Sequence, residues 1–178
     1  MIKLIVTDLD NTLLDKDGRV REDSISLIEE AADRGIVFAV ATGRSFASAK
    51  AIAMKFASDI PVICYNGAQI KMPVSGEIVY ESIVDEKLQD AIIDFAIKHE
   101  LYVQVYDNDE IVVEELDLKA HPDPDLKFTG YRETHGMEAL KGIKTPKILL
   151  ATSPKLVPAI QNELENEYGD IAYFAQSE

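Results

Sequence analysis

Apolar positions in the first eighty residues gather into short unbroken runs; further along they settle into periods of two or of three to four. Ile2, Leu4, Ile5 and Val6 form the first run, Ile36 to Ala41 (I-V-F-A-V-A) the second and Val62 to Tyr65 the third. Runs of strand-forming residues without alternating polar positions are the pattern of strands covered on both faces. Between the first two, Ile25, Ile28, Ala31 and Ala32 share one face of a helix expected from about Glu22 to Arg34, with Gly35 as its left-handed stop. Asp15 to Arg21 reads as a polar loop turning at Asp17-Gly18. A second helix is expected from Phe46 to about Ala57, and Gln69 to Met72 with Glu77 to Tyr80 as a hairpin around Pro73 to Gly76.

After Ser82 the period changes. Asp85 can cap a helix to about Glu100, with Leu88, Ala91, Ile92, Phe95 and Ala96 on one face. Leu101, Val103 and Val105 alternate with Tyr102, Gln104 and Tyr106, and Asp107 to Asp109 turn this strand into a partner at Glu110 to Glu114, an antiparallel hairpin with one wet face. Leu116 to Lys144 is irregular, with a short helix near Met137 to Lys141. Then follow a strand at Lys147 to Ala151, a helix from Ser153-Pro154 to Tyr168 and a strand at Ile171 to Ala175. The resulting expectation is an α/β fold in two parts, a parallel-sheet portion at 1–82 and an α+β portion at 83–178.

Composition narrows the function. A formal charge of −14 argues against nucleic acid as a partner and against an anionic substrate, unless a metal ion or local cations reverse the field at the site. The single Cys64, inside V-I-C-Y, reads as a small buried hydrophobe in a reducing compartment. Two acids interrupt the first ten residues and no apolar run reaches membrane-spanning length, so a soluble cytoplasmic protein without a membrane partner is expected.

The candidate chemistry lies where the apolar runs end. The first finishes in Asp8-Leu9-Asp10-Asn11-Thr12, and residues two apart on an extended backbone point the same way. Two carboxylates could thus face one volume beyond the carboxyl end of a buried strand, where open α/β sheets place ligands. Their repulsion is relieved by a hard cation such as Mg²⁺, which bridges carboxylates to phosphate, or by a raised pKa. The plainer reading is an acidic turn. The second run ends in Thr42-Gly43-Arg44-Ser45 ahead of a helix, either a phosphate cradle with a hydroxyl and free N–H groups or a turn with Ser45 as helix cap. The third ends in Asn66-Gly67, a turn pair.

Strands ending in D-x-D-N-T, T-G-R and N-G resemble the haloacid dehalogenase-type phosphatases, in particular their Cof-type branch, which hydrolyses small phosphate esters. The resemblance implies a Rossmann-like core with an α+β cap that selects substrate. It implies Asp8 as nucleophile, Asp10 as acid and base, Thr42 as the hydroxyl holding the transferred phosphoryl group, and Mg²⁺ on the Asp8 carboxylate and the Asp10 backbone carbonyl. Asn11, Thr12, Gly43, Arg44, Asn66 and Gly67 are the candidate substrate-binding residues. Asn11 stands where the family commonly has Gly, a tolerable change because Asn accepts unusual turn conformations.

The family also places a Lys and an acidic G-D-x-x-x-D motif after the cap, on a segment that completes the core sheet. Neither is found before Glu178; Gly169-Asp170 lies in the wrong element. The first strand is then expected at the sheet edge, with its apolar face covered by a further segment or by a second copy. A phosphate-binding module without turnover and a receiver-type signalling domain are the other classes compatible with strand-end acids. His121 to Asp125 and Asp107 to Glu110 read as solvated loops, and His99 and His135 carry no assigned role.

Overall fold

A computed structural model of the protein describes residues 1–57, 59–117 and 124–176. Strand β1 (Leu4–Asp8) is followed by a tight turn at Leu9–Leu13, helix α1 (Glu22–Asp33), strand β2 (Val37–Ala41), helix α2 (Phe46–Ala53) and strand β3 (Val62–Cys64). Strands β4 (Gln69–Lys71) and β5 (Ile78–Glu81) form the expected hairpin. The sheet order is β1-β2-β3-β4-β5, parallel through β3 and antiparallel beyond. In register, Asp8 lies beside Ala41 and Ala41 beside Ile63, so the three parallel strands finish on one edge of the sheet. Helix α2 is shorter than expected, since Met54 already caps it and Lys55 and Phe56 continue only as single turns.

The second sheet follows helix α3 (Glu86–Lys98), whose amino end is held by Asp85 accepting from the N–H groups of Lys87 and Leu88. Strands β6 (Tyr102–Asp107), β7 (Glu110–Val113), β8 (Tyr131–Glu133) and β9 (Ile148–Ala151) pair in the order β8-β7-β6-β9, and helix α4 (Val157–Tyr168) follows. Three elements depart from expectation. The wholly exposed three-residue β8 has no apolar alternation to announce it. Helix α4 begins at Val157, because Ser153 to Leu156 closes a separate turn. Ile171 to Ala175 is not a strand: it leaves α4 through turns onto the Tyr168 carbonyl, with Ile171 and Tyr173 in solvent.

The expected wet face of the β6–β7 hairpin is also absent. Tyr106, Ile111 and Val113 pack into the apolar cluster of the first sheet, beside Val40, Phe46, Val62 and Tyr65. Val103, Val105 and Val112 pack on the other face, with Phe95, Leu140 and Leu164. The alternation of side chains in a strand is preserved, but each face meets a core rather than water. Gln104 and Tyr106, read as solvent-facing, are 1% and 3% exposed.

Strand β1 terminates the first sheet, and Leu4, Ile5 and Val6 are 55%, 38% and 46% exposed. An apolar run that reads as doubly covered is therefore open to solvent, in keeping with the expected edge position.

Candidate active site

Leu9 is completely buried while its neighbours Asp8 and Asp10 are exposed, so the apolar residue between the acids anchors the turn and directs both acids outward. The chain leaves the extended form after Asp8. Asn11 adopts a left-handed conformation (φ 56°), and Leu14 N–H returns to the Leu9 carbonyl at 2.8 Å. Such a φ suits Asn better than most residues, because its short polar side chain tolerates the crowding. Asp8 Oδ1 accepts from Leu9 N–H at 2.8 Å, which orients the carboxylate at the strand end. Asn11 and Thr12 are exposed in the same turn.

The β2 end is stitched to the β3 end beyond the strands themselves. Thr42 N–H donates to the Ile63 carbonyl at 2.9 Å, Tyr65 N–H to the Arg44 carbonyl at 2.9 Å and Asn66 N–H to the Thr42 carbonyl at 3.2 Å. Thr42 is buried, and its hydroxyl accepts from Arg44 N–H at 3.2 Å. Asn66 and Gly67 take left-handed conformations (φ 58° and 98°), the geometry expected of their turn pair. Gly43 has a close neighbour: a Cβ there would stand 3.0 Å from Asn66 Oδ1, so the loop admits the Asn66 amide because residue 43 has no side chain.

Arg44 joins the two strand ends. Its Nε and Nη2 donate to Asp10 Oδ2 and Oδ1 at 2.9 and 2.6 Å, and its Nη1 donates to Ser48 Oγ at 3.2 Å. Hydrogen bonding to this guanidinium holds the Asp10 carboxyl below its ordinary range. Asp8, Asp10, Thr42 and Arg44 thus emerge together at the carboxyl edge of the parallel strands, with Asn66 and Gly67 beside them.

The second sheet reaches this loop through residues that local sequence does not single out. Lys147, just before β9, donates from Nζ to the Gly43 carbonyl at 2.9 Å across 104 positions. Asp125, expected in a solvated loop, is 6% exposed and accepts from Ser45 N–H at 2.7 Å; His121 to Asp123 of that loop lie outside the described residues. Asp109, expected in a solvated turn, pairs with Lys71 at 2.7 Å and accepts from the Tyr65 hydroxyl at 3.4 Å. Lys71 Nζ also stands 4.3 Å from the centre of the Phe46 ring. The only signal these residues carry is charge next to a turn, and their partners are too distant in the chain for any motif to link them.

Among the described residues no group of three or more His, Cys, Asp or Glu side chains is placed to hold a metal ion. The Asp8 carboxylate and the Asp10 backbone carbonyl are hard oxygen donors, and such a pair fits Mg²⁺ when water and a substrate phosphate supply the remaining ligands.

The family model described as haloacid dehalogenase-like hydrolase matches residues 5–178. A curated 5-amino-6-(5-phospho-D-ribitylamino)uracil phosphatase of Bacillus subtilis is 31% identical over 111 residues, covering 62% of this chain and 38% of that protein. An HMP-PP phosphatase of an Enterobacter species is 27% identical over 108 residues, 61% of this chain and 39% of its own. The chain thus matches about two fifths of the length of these relatives. The crystal structure of a haloacid dehalogenase-like hydrolase from Bacteroides thetaiotaomicron superimposes with a TM-score of 0.82 at 24% identity, covering 99% of this chain and 68% of the other. The crystal structure of the protein TM0651 from Thermotoga maritima gives a TM-score of 0.81 at 23% identity, covering 100% of this chain and 67% of the other. These structural likenesses concern the fold. Among the described residues no helix is long and apolar enough to cross a membrane.

Proposed function

Because the chain belongs to the haloacid dehalogenase-like hydrolase family, we propose that it carries the nucleophile-bearing site of a Mg²⁺-dependent phosphatase for small phosphate monoesters such as sugar phosphates. The observation that supports this best is the meeting of Asp8, Asp10, Thr42 and Arg44 at one edge of the parallel sheet. The phosphatase names of the curated relatives point the same way.

In this reading the Asp8 carboxylate attacks phosphorus in line, forming an aspartyl-phosphate as the bond to the leaving oxygen breaks. Asp10 gives its proton to that oxygen, then takes one from water, which attacks the aspartyl-phosphate and frees phosphate and Asp8. The Thr42 hydroxyl holds a phosphoryl oxygen. Asn11, Thr12, Asn66 and Gly67 line the approach to that group. Mg²⁺, held by Asp8 and the Asp10 carbonyl, would supply neutralisation of the phosphate oxygens. To donate a proton Asp10 must first gain one, so the Arg44 pair loosens when a phosphate competes for the guanidinium. Residues 1–82 form the core portion, and the second sheet, at 83–178, serves as a cap that shields the reaction from water.

A second reading, a phosphate-binding module without turnover, is favoured by the lack of a third carboxylate or imidazole ligand among the described residues. Mg²⁺-dependent hydrolysis of p-nitrophenyl phosphate by wild type beside Asp8→Asn separates the two. Hydrolysis abolished by Asp8→Asn is expected; absence of Asp8-dependent hydrolysis favours the binding module.

A further inference from the structure

We infer that Gln104 is a specificity-determining residue: its buried amide oxygen accepts a hydrogen bond from an uncharged hydroxyl on the leaving group of the phosphate ester. This rests on the phosphatase reading above and gives the leaving group its chemistry, a polyol.

The first argument is the place of the side chain. Tyr102, Gln104 and Tyr106 alternate onto the face of β6 that meets the first sheet. Tyr106 lies in the cluster with Val40, Phe46 and Tyr65, and Tyr102 packs against that cluster. Val113, opposite Gln104 in β7, belongs to it as well. Gln104 therefore stands in the seam between the two sheets, 1% exposed, at a position whose neighbours on the same face are aromatic or aliphatic.

The second argument is an orphaned acceptor. Gln104 Nε2 donates to the Tyr102 hydroxyl at a long 3.4 Å, while Oε1 accepts from no donor among the described residues. Gln69 and Gln89, also buried, make shorter bonds: Gln69 Nε2 donates to Glu81 Oε1 at 2.7 Å and Gln89 Nε2 to the Leu140 carbonyl at 3.0 Å. A buried amide oxygen without a donor is less favourable than an apolar side chain of the same size. Folding alone gives no reason for an amide here, whereas a donor carried in by a ligand does.

The third argument is reach. Gln104 pairs in register with Leu149 of β9, two residues beyond Lys147, whose Nζ donates to the Gly43 carbonyl. Tyr106, two residues along β6, meets the Tyr65 ring at 5.1 Å between centres, beside Asn66. Two residues of strand span about 7 Å. The amide thus lies that far behind the contacts by which the second sheet touches the loops carrying Thr42 and Asn66. An ester whose phosphoryl group sits at the Thr42 hydroxyl extends a short carbon chain into the seam toward Oε1. Strand β9 ends its sheet, and Tyr102 and Leu149 beside Gln104 are half-buried, so displacing these two side chains uncovers the oxygen. The donor is uncharged, because one neutral amide does not offset the desolvation of an ammonium.

Calorimetric titration of Asp8→Asn, which leaves esters unhydrolysed, tests this in the presence of Mg²⁺. The probes are glycerol 1-phosphate, erythritol 4-phosphate and ribitol 5-phosphate, each beside the alkyl phosphate of equal chain length (propyl, butyl and pentyl). In at least one pair the polyol should bind about tenfold more tightly than its alkyl partner, the gain of a single hydrogen bond. Adding Gln104→Met, similar in size, should bring that pair to within about twofold while the alkyl phosphate keeps its affinity. Without ester, Gln104→Met should unfold in urea at the same midpoint or a higher one, since its oxygen has no bond to lose. Equal affinity within all three pairs, or a preference that survives Gln104→Met, overturns the inference. So does a clearly lower midpoint in both Gln104→Met and Gln104→Leu, which would make the amide a structural group. Failure of every ester to bind, with the fold intact by circular dichroism, overturns the phosphoryl site and the inference together. A Gln104-dependent preference in a protein whose wild type hydrolyses none of the esters supports the inference and overturns only turnover.

Discussion

Arg44 and Asp10, thirty-four residues apart, are joined by two hydrogen bonds from one guanidinium to one carboxylate. The pair fastens the turn after β1 to the loop after β2 and keeps Asp10 ionised below the ordinary carboxylate range. A group whose folded pKa is depressed adds stability above its unfolded pKa and loses it as pH falls through the folded value. Arg44→Gln should therefore destabilise the protein near neutral pH by a few tenths of a kcal/mol to about 1 kcal/mol, the carboxylate being half-exposed and screened. The difference should fade as pH drops below the unperturbed 3.8. Urea denaturation of both proteins at neutral and acid pH measures it; a gap that widens in acid contradicts this account.

The Lys71–Asp109 pair is less exposed, at 17% and 27%, and bridges the two sheets. Asp109→Leu leaves a half-buried ammonium without its carboxylate and should cost about 2 kcal/mol. Adding Lys71→Met should recover part of that loss. A double-mutant cycle by chemical denaturation reads the coupling, and strict additivity of the two changes argues against a bridge.

Burial pushes the Cys64 thiol up to about 12, and its side chain is inaccessible. At pH 8 the native protein should resist a thiol-specific chromogenic reagent, then release one equivalent promptly after unfolding in guanidinium. Fast labelling of the native state would contradict the burial of Cys64 at the end of β3.

Leu4, Ile5 and Val6 along the terminal strand form an open template for another strand. Association should rise with protein concentration in sedimentation velocity and fall in Ile5→Lys. A single 19.7 kDa species at every concentration would mean the edge is harmless.

Much of this was legible in the residues themselves. Apolar runs located β1, β2 and β3, Gly35 and Asp85 marked helix ends, and the parallel register brings the residues after each of these strands to one edge of the sheet. Tyr102 to Tyr106 failed because alternation reveals which residues share a face, not whether water or a second core lies beyond it. Ile171 to Ala175 has strand-forming composition, but its backbone instead turns onto the Tyr168 carbonyl at Ile171 and Ala172. Asp109, Asp125 and Lys147 were missed for a related reason: their partners lie 38, 80 and 104 positions away, and only tertiary packing brings those pairs within reach.

The β6–β7 hairpin, with Tyr106, Ile111 and Val113 in one cluster and Val103, Val105 and Val112 in the other, makes the second sheet a poor candidate for transplantation. Grafting it onto a foreign relative would strip three apolar anchors from their seat and leave a matching hollow in the recipient. Exchange of substrate preference within this fold is therefore better sought by changing side chains along the seam than by swapping whole halves.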